Sequence, residues 1–542
     1  MRNRLLAVIS TICVIILSTE KVYGMTAHIK DYAKPGDNVT QVLQQLINQY
    51  STVIIDEGRW YVSPGIKLRS CVTIKGVGAG KSVLVRDNRV PLTGGMIFLT
   101  TAVNPDAYVN KDPSDAFTAQ RIAFRNIKFR DLTFDFNRSP RQYSHAELSK
   151  ANIYGIGLIR AAYCSVERCT FVDSMTENCN NGYPAIVVYQ SENVIIRGNH
   201  SDGITFLQAI YSQHVQISNN ICFNSIGTAI ATTSGTGHIC ENNTIDGISW
   251  KVSCMGVNST NSLVQGNQIK ASKENISCLT LGHEHPIFSA SSTIARKNTL
   301  ITEGCRSLII QNGKNIRIES NTCSCIIDSS SSILNSGCIV ASGQSQDIKD
   351  IIIENNHLSS KGNGTCGCIT YRGTGFVKVV KNEIKANRGI SILSNNDVSA
   401  FIIKNTIFSN NYTIQGNCDA LYLEDNYLTD GIITTAREIV VKNNQFEIGV
   451  HHSFMGKRWE SVVIEGNSIY GGGSISTNRT YFFQFDASEK SSSFDQRKFN
   501  VKKNIFSADL FESIISFMGN NNCPQLNKIQ NYGIVKKNKE GF

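Results

Sequence analysis

The sequence predicts an all-β chain wound as a single-stranded parallel β-helix, a solenoid of about 15 turns with a cap at each end. Three observations predict it. A short phrase, apolar-x-x-Asn-x-apolar, recurs down the chain, as in Ile353-Glu354-Asn355-Asn356-His357-Leu358 and Ile464-Glu465-Gly466-Asn467-Ser468-Ile469. Apolar residues around each copy alternate with period two, which is the signature of a strand with one buried face. Gly is abundant at 42 residues and Pro scarce at 9, which suits many bends between short strands. Of 542 residues, 41% are hydrophobic and 18% charged, which excludes a disordered chain or a coiled coil.

Residues 1–24 read as a secretory signal. Arg2 and Arg4 precede a mostly apolar run from Leu5 to Leu17, too short to span a bilayer, and Val22-Tyr23-Gly24 offers small residues for cleavage before Met25. The alternative is that Met25 is the true start. Cleavage removes three basic residues and one acidic, taking the net charge from +10 to +8. Residues 25–95 read as the N-terminal cap and first turns. Val39 to Tyr50 has helical periodicity, and Thr52 to Ile55, Gly58 to Val62 and Val72 to Gly78 read as strands.

Residues 96–504 read as the β-helix with inserted loops. The repeated asparagine falls at Asn199, Asn220, Asn243, Asn267, Asn298, Asn321, Asn356, Asn382, Asn405, Asn426, Asn444, Asn467 and Asn504. Most intervals are 18 to 26 residues, enough for three short strands per turn. One turn cannot bury its own apolar side chains, so stacked turns must bury a continuous column. Asparagine is expected at the bend, because it tolerates a left-handed backbone, and stacking is expected to align its side chains as a ladder. At ~4.8 Å per turn the stack would be roughly 70 Å long. Cys169, Cys222, Cys240 and Cys323 fall on inward or ladder positions and read as small buried hydrophobes. The Cys323/Cys325 and Cys366/Cys368 pairs leave metal or disulfide chemistry open. Residues 505–542, with Phe506, Leu510, Phe511 and Phe517, read as an amphipathic C-terminal cap.

The helix, the apolar strand, the Gly58-Arg59-Trp60-Tyr61 strand and the Ile74-Lys75-Gly76-Val77-Gly78 turn resemble the N-terminal cap of polysaccharide-degrading β-helices and phage tailspikes. With the asparagine repeat, the mature chain resembles the right-handed, pectate-lyase-like superfamily. Asn243-Thr244-Ile245-Asp246-Gly247 is similar to the Asn-Thr-Asp-Gly element of polygalacturonases, with one extra residue. That family's Asp-Asp pair, Gly-His-Gly and Arg-Ile-Lys elements are missing, as is the pectate-lyase Arg-x-Pro-x-x-Arg, so no single family is assigned.

The resemblance implies a groove walled by inserted loops, expected at 138–150, 174–184, 282–290, 328–347 and 470–495. Carboxylates recur just after the asparagine, and Asp202-Gly203-Ile204, Asp246-Gly247-Ile248 and Asp430-Gly431-Ile432 share one register. Asp173, Asp202 and Asp246 are the candidate catalytic residues. Stacking two turns apart gives Asp202 and Asp246 a backbone separation of ~9.6 Å, near the ~6.5–9.5 Å of an inverting glycosidase pair. Asp173 and Asp202, one turn apart, fit a retaining pair better. The competing reading is that Asp-Gly merely makes a tight bend.

Candidate substrate contacts are Glu177, Tyr183, His200, His214, His283, Glu284, His285, Arg296 and Arg306. The last two suit sugar carboxylates, because a guanidinium grips two oxygens at once. Tyr154, Tyr211 and Trp250 are candidate stacking platforms.

The expectation is therefore an exported polysaccharide-degrading enzyme, a glycoside hydrolase acting on an acidic polysaccharide. The alternatives are a polysaccharide lyase or uronate epimerase, and a non-catalytic carbohydrate-binding or adhesin solenoid. No cofactor is expected, calcium entering only with the lyase reading. The positive charge is spread without basic blocks, so nucleic acid is not expected as partner. No stable membrane insertion is expected after signal removal, the location is periplasm, cell surface or extracellular, and the sequence carries no signature of oligomeric state.

Overall fold

The computed structural model describes residues 25–87, 89, 95–100, 122–137, 153–172, 184–225, 227–247, 253–272, 276–283, 288–303, 306–326, 337–342, 348–362, 367–394, 398–448, 454–457, 459–471, 481–486, 498–502, 504–506 and 513–518. The signal segment and most of the expected loop insertions lie outside these. The chain divides into two compact units, Met1–Leu207 and Gln208–Phe542.

In the first unit a helix at Thr40–Gln49 closes the end of the stack. The Asn38 side chain accepts the Thr40 amide hydrogen at its start, and Leu43, Leu46 and Ile47 point into the core. Three parallel sheets then build up turn by turn. The leading sheet runs from Thr26–His28 through Thr52–Ile55, Val72–Gly76, Ile127–Arg130 and Ser165–Glu167 to Ile195–Arg197. The trailing sheet runs from Gly58–Val62 through Ser82–Arg86, Thr133–Asp135 and Thr170–Val172 to His200–Asp202. The third contains Ile66–Lys67, Gly95–Leu99, Ile153–Ile159 and Ile186–Tyr189. Aromatic rings fill the interior: Phe134 stacks on Phe171 at 4.9 Å, and Phe98 meets Phe129 edge-on at 5.2 Å. Buried Trp60 donates its indole N–H to the Asp56 carbonyl.

The second unit repeats the scheme. One turn comprises Ile239–Glu241 in the leading sheet, Thr244–Gly247 in the trailing sheet and Met255–Thr260 in the third. The next turn lies on it in parallel register, Cys240 against Val264, Ile245 against Ile269 and Met255 against Leu279. Among the described residues every ladder pairing given a register is parallel, so the fold is a right-handed parallel β-helix. The inward column of the leading sheet is Cys240, Val264, Ala295, Ile318, Ile353, Val379, Ile402, Leu423, Val441 and Ile464, all fully buried. The last described strands, Ile505–Phe506 and Ser513–Met518, continue the trailing and third sheets into the segment expected to be a cap.

The asparagines form the expected ladder. From Asn220 to Asn467, each donates its side-chain amide to the Oδ1 of the asparagine one turn on, ending at Asn504, with every link at 2.9 or 3.0 Å. The expected backbone role belongs to the neighbour instead. The left-handed residue is the one just before the ladder asparagine, including Asn219, Asn242, Lys297, Ser320, Lys381, Lys404 and Asp425, with φ between 53° and 57°. The asparagine must point its amide inward along the axis, so the chain makes its bend one residue earlier.

Cysteines serve as small core residues. The twelve described are all free thiols, and all but Cys71 are buried. Cys169 occupies the ladder column, its backbone N–H donating to the Asn199 Oδ1. No helix among the described residues is long and apolar enough to cross a membrane.

Candidate active site

The trailing sheet sets the site's geometry. Its strand follows the asparagine, so the second residue after it points inward and the third outward. Asp202 and Asp246 both occupy that third position, three residues after Asn199 and Asn243. In the first unit, Asp202 lies beside Val172, which lies beside Asp135. Asp135 is engaged by Arg59 at 2.7 Å. In the second unit, Asp246 flanks buried Ile245 and is itself half-buried, with no hydrogen-bond or ion-pair partner among the described residues. Its register partner one turn on is Lys270, which is exposed, and the next in the row is Ile301. Among the described residues neither the Asp246 carboxylate nor the Lys270 ammonium has a side-chain partner, and the two stand on neighbouring strands. Such a pair can accept a proton at one group and hold an anion at the other. Lys270 escaped the sequence reading, although it stands three residues after Asn267, the same count that selected Asp246.

The third Asp-Gly copy is a bend. Asp430 is 4% exposed and its Oδ1 accepts the Gly431 N–H at 2.7 Å. Asp173, Glu177, Tyr183, Glu284, His285 and Trp250 lie outside the described residues. His200 begins the strand bearing Asp202, beside Thr170, and is half-buried. His283 is exposed and packs its ring edge against Phe288 at 5.7 Å. Arg306, half-buried at the head of Arg306–Ile310, lies beside Ser277. Tyr211 is buried, so it offers no face to a sugar.

Arg296 sits on the leading sheet, away from the trailing-sheet row. Its guanidinium donates twice to the Gln265 Oε1, at 3.0 and 2.9 Å, and lies 3.8 Å from Glu319. Gln265 in turn donates to Glu241, and Arg317 reaches both Glu319 and Glu354 at 3.2 Å. The side chain is thus part of a polar ladder joining turns.

Two buried ionisable groups have structural surroundings. Glu167 lies between Arg130 at 2.9 Å and Arg197 at 2.6 Å. Burial alone would raise its carboxyl, but the hydrogen bonds led by Arg197 outweigh that and hold it at about 2. His238 is fully buried, and its Nδ1 accepts the Val215 N–H at 3.2 Å, which leaves the proton on Nε2. Burial, aided by His214, pushes the imidazole down to about 4. His214 itself is exposed, in a left-handed bend with φ 51°, and lies against Gly237, where a Cβ would come 2.7 Å from its ring. Among the described residues no three His, Cys, Asp or Glu side chains are grouped to hold a metal ion.

Residues 27–252 match the family model described as rhamnogalacturonase A/epimerase, pectate lyase-like. Solved structures similar to the chain include the N-terminal fragment of bacteriophage Phi29 gene product 12, at 12% identity and TM-score 0.44, covering 94% of each chain. Another is a family 28 exopolygalacturonase from Yersinia enterocolitica, at 12% identity and TM-score 0.42, covering 76% of this chain and 78% of that one. PfbA, a surface adhesin of Streptococcus pneumoniae, is also similar at 12% identity and TM-score 0.34, covering 82% of this chain and 93% of that one. No curated protein matches the sequence.

Proposed function

We propose that this pectate-lyase-like parallel β-helix protein is an exported enzyme acting on an acidic polysaccharide. Asp246 moves the proton and Lys270 meets the sugar carboxylate. The observation that carries the reading is the register of these two residues on neighbouring trailing strands, with no partner for the carboxylate among the described residues. The match of residues 27–252 to a rhamnogalacturonase/epimerase description includes Asp246 and supports a sugar polymer as substrate.

The hydrolytic form of the reading needs a second carboxylate besides Asp246. One acid protonates the leaving oxygen while the other carboxylate activates water. A second form is favoured by Lys270. In elimination or epimerisation, a cation neutralises the uronate carboxylate, which acidifies the adjacent C5–H, and one base removes that proton. Asp246 and Lys270 supply these two roles; in elimination the electron pair expels the C4 oxygen, which takes a proton from water, and in epimerisation water returns a proton to the opposite face of C5.

Incubation with a panel of acidic and neutral polysaccharides, read for reducing ends and for ultraviolet absorbance, tests the proposal. New reducing ends without absorbance indicate hydrolysis, and absorbance from an unsaturated product indicates elimination. An epimerase leaves both flat and changes the uronate proton spectrum instead. Binding with no chemical change in any polymer identifies the non-catalytic solenoid and overturns the enzymatic reading.

A further inference from the structure

Five successive turns of the 208–542 unit place a thiol or hydroxyl at one position. It is the residue before the registered row Met255, Leu279, Leu308, Ile339 and Ile369 in the third sheet. Cys254, Cys278, Ser307, Cys338 and Cys368 occupy it, each 1% exposed or less. Their side chains point to the corner facing the trailing sheet, where several donate to its carbonyls. Cys278 Sγ reaches the Ile301 oxygen at 3.3 Å, Ser307 Oγ the Ser324 oxygen at 3.3 Å and Cys338 Sγ the Ser359 oxygen at 3.2 Å.

Cys338 and Cys368 are adjacent in this file. Ile339 pairs with Ile369, and the Ile339 N–H donates to the Cys368 carbonyl at 3.0 Å. The two residues therefore lie on neighbouring parallel strands, with both side chains turned to the same corner. Neighbouring strands stand ~4.8 Å apart, inside the ~4.4–6.8 Å Cα window of a disulfide.

We propose that Cys338 and Cys368 form a disulfide that ties two successive turns together when the protein folds in the presence of a disulfide oxidant. The oxidant is a thiol–disulfide oxidoreductase or a small-molecule disulfide, RSSR. One cysteine thiolate attacks RSSR and releases RSH, and the second cysteine thiolate displaces the other RS group. Two protein thiols become one disulfide, and RSSR is reduced to two RSH. The neighbouring Cys368 side chain, together with burial, raises the Cys338 thiol well above its ordinary range in the folded chain. The exchange thus belongs to folding, before the corner closes. The proposal is independent of any activity toward polysaccharide.

The test uses the full chain folded in a glutathione/glutathione disulfide buffer. The protein is then denatured with an alkylating agent, digested and mapped by mass spectrometry. The expected result is a peptide pair joining Cys338 to Cys368 that reductant separates. Single alkylation of both, or joining of either to a different cysteine, overturns the proposal. Cys338→Ser and Cys368→Ser should fold, because Ser307 already holds a hydroxyl in the same file. In urea, reductant should lower the unfolding midpoint of the oxidised parent and leave both variants unmoved. An equal shift in the variants overturns the proposal too.

Discussion

The side-chain amide of Asn321 donates to the Oδ1 of Asn356 at 3.0 Å and, on its other side, to the carbonyl of Ala295 at 2.9 Å. The Oδ1 of Asn321 accepts both the backbone and the side-chain N–H of Asn298. One buried side chain therefore satisfies polar groups on the turns before and after it. Stacked turns leave bend amides facing the core, where water cannot serve them, and this explains why the same residue recurs at unequal spacing.

Replacing Asn321 with Ala should cost at least about 3 kcal/mol, since buried donors on Asn298 lose their acceptor. Urea unfolding reads this as a lower midpoint with an unchanged slope. Replacement of exposed Asn410 should move the midpoint little.

The residue before each ladder asparagine gives a second, oppositely signed prediction. Lys404 has φ 56° and precedes Asn405. Left-handed backbone costs a non-glycine residue about 1 kcal/mol. Lys404→Gly should therefore hold or raise stability by a few tenths, and Lys404→Val should lower it by more than about 1 kcal/mol. Thermal unfolding of the two variants checks the sign.

That bend also shows where the sequence is legible. The ladder position admits few residues, because only an amide both donates and accepts along the axis, so its register stands out. The position before it is filled by Gly, Asn, Lys, Ser and Asp alike. A modest conformational cost, repaid by stacking, leaves no signature there. The site divides in the same way. Asp246 was legible from its place after Asn243. The polar ladder that occupies Arg296 was not, because Gln265 and Glu319 lie on turns of unequal length. Lys270 follows Asn267 by the same count, but it carries a cation where the recurring residue is an acid, so nothing in the repeat marks it.

His238 should make stability pH-dependent. Its neutral form is favoured in the fold, with the imidazole lowered from 6.5 to about 4. The contribution is fully present above pH 6.5 and is lost as pH falls from 6.5 through about 4. The loss is on the order of 3 kcal/mol. Urea midpoints measured from pH 7 to 4 should fall in the parent and flatten in His238→Asn, whose side chain can still accept the Val215 N–H.

Glu167 adds a limb at lower pH. Its carboxyl is held at about 2 against an ordinary 4.5, so its contribution is present above 4.5 and lost as pH falls through about 2. Glu167→Gln should remove this acid limb and leave the His238 limb in place. The same titration carried down to pH 2 measures both, and an unchanged acid limb in Glu167→Gln would contradict the assignment.

The most direct test of the central claim compares the parent with Asp246→Asn and Lys270→Gln on an acidic polysaccharide that the parent transforms, with circular dichroism verifying the fold. The account predicts that Asp246→Asn loses at least about 100-fold in kcat, the scale of a lost acid–base group. Lys270→Gln should weaken turnover of the charged polymer far more than of its methyl-esterified form. Full activity in a correctly folded Asp246→Asn protein would contradict the account.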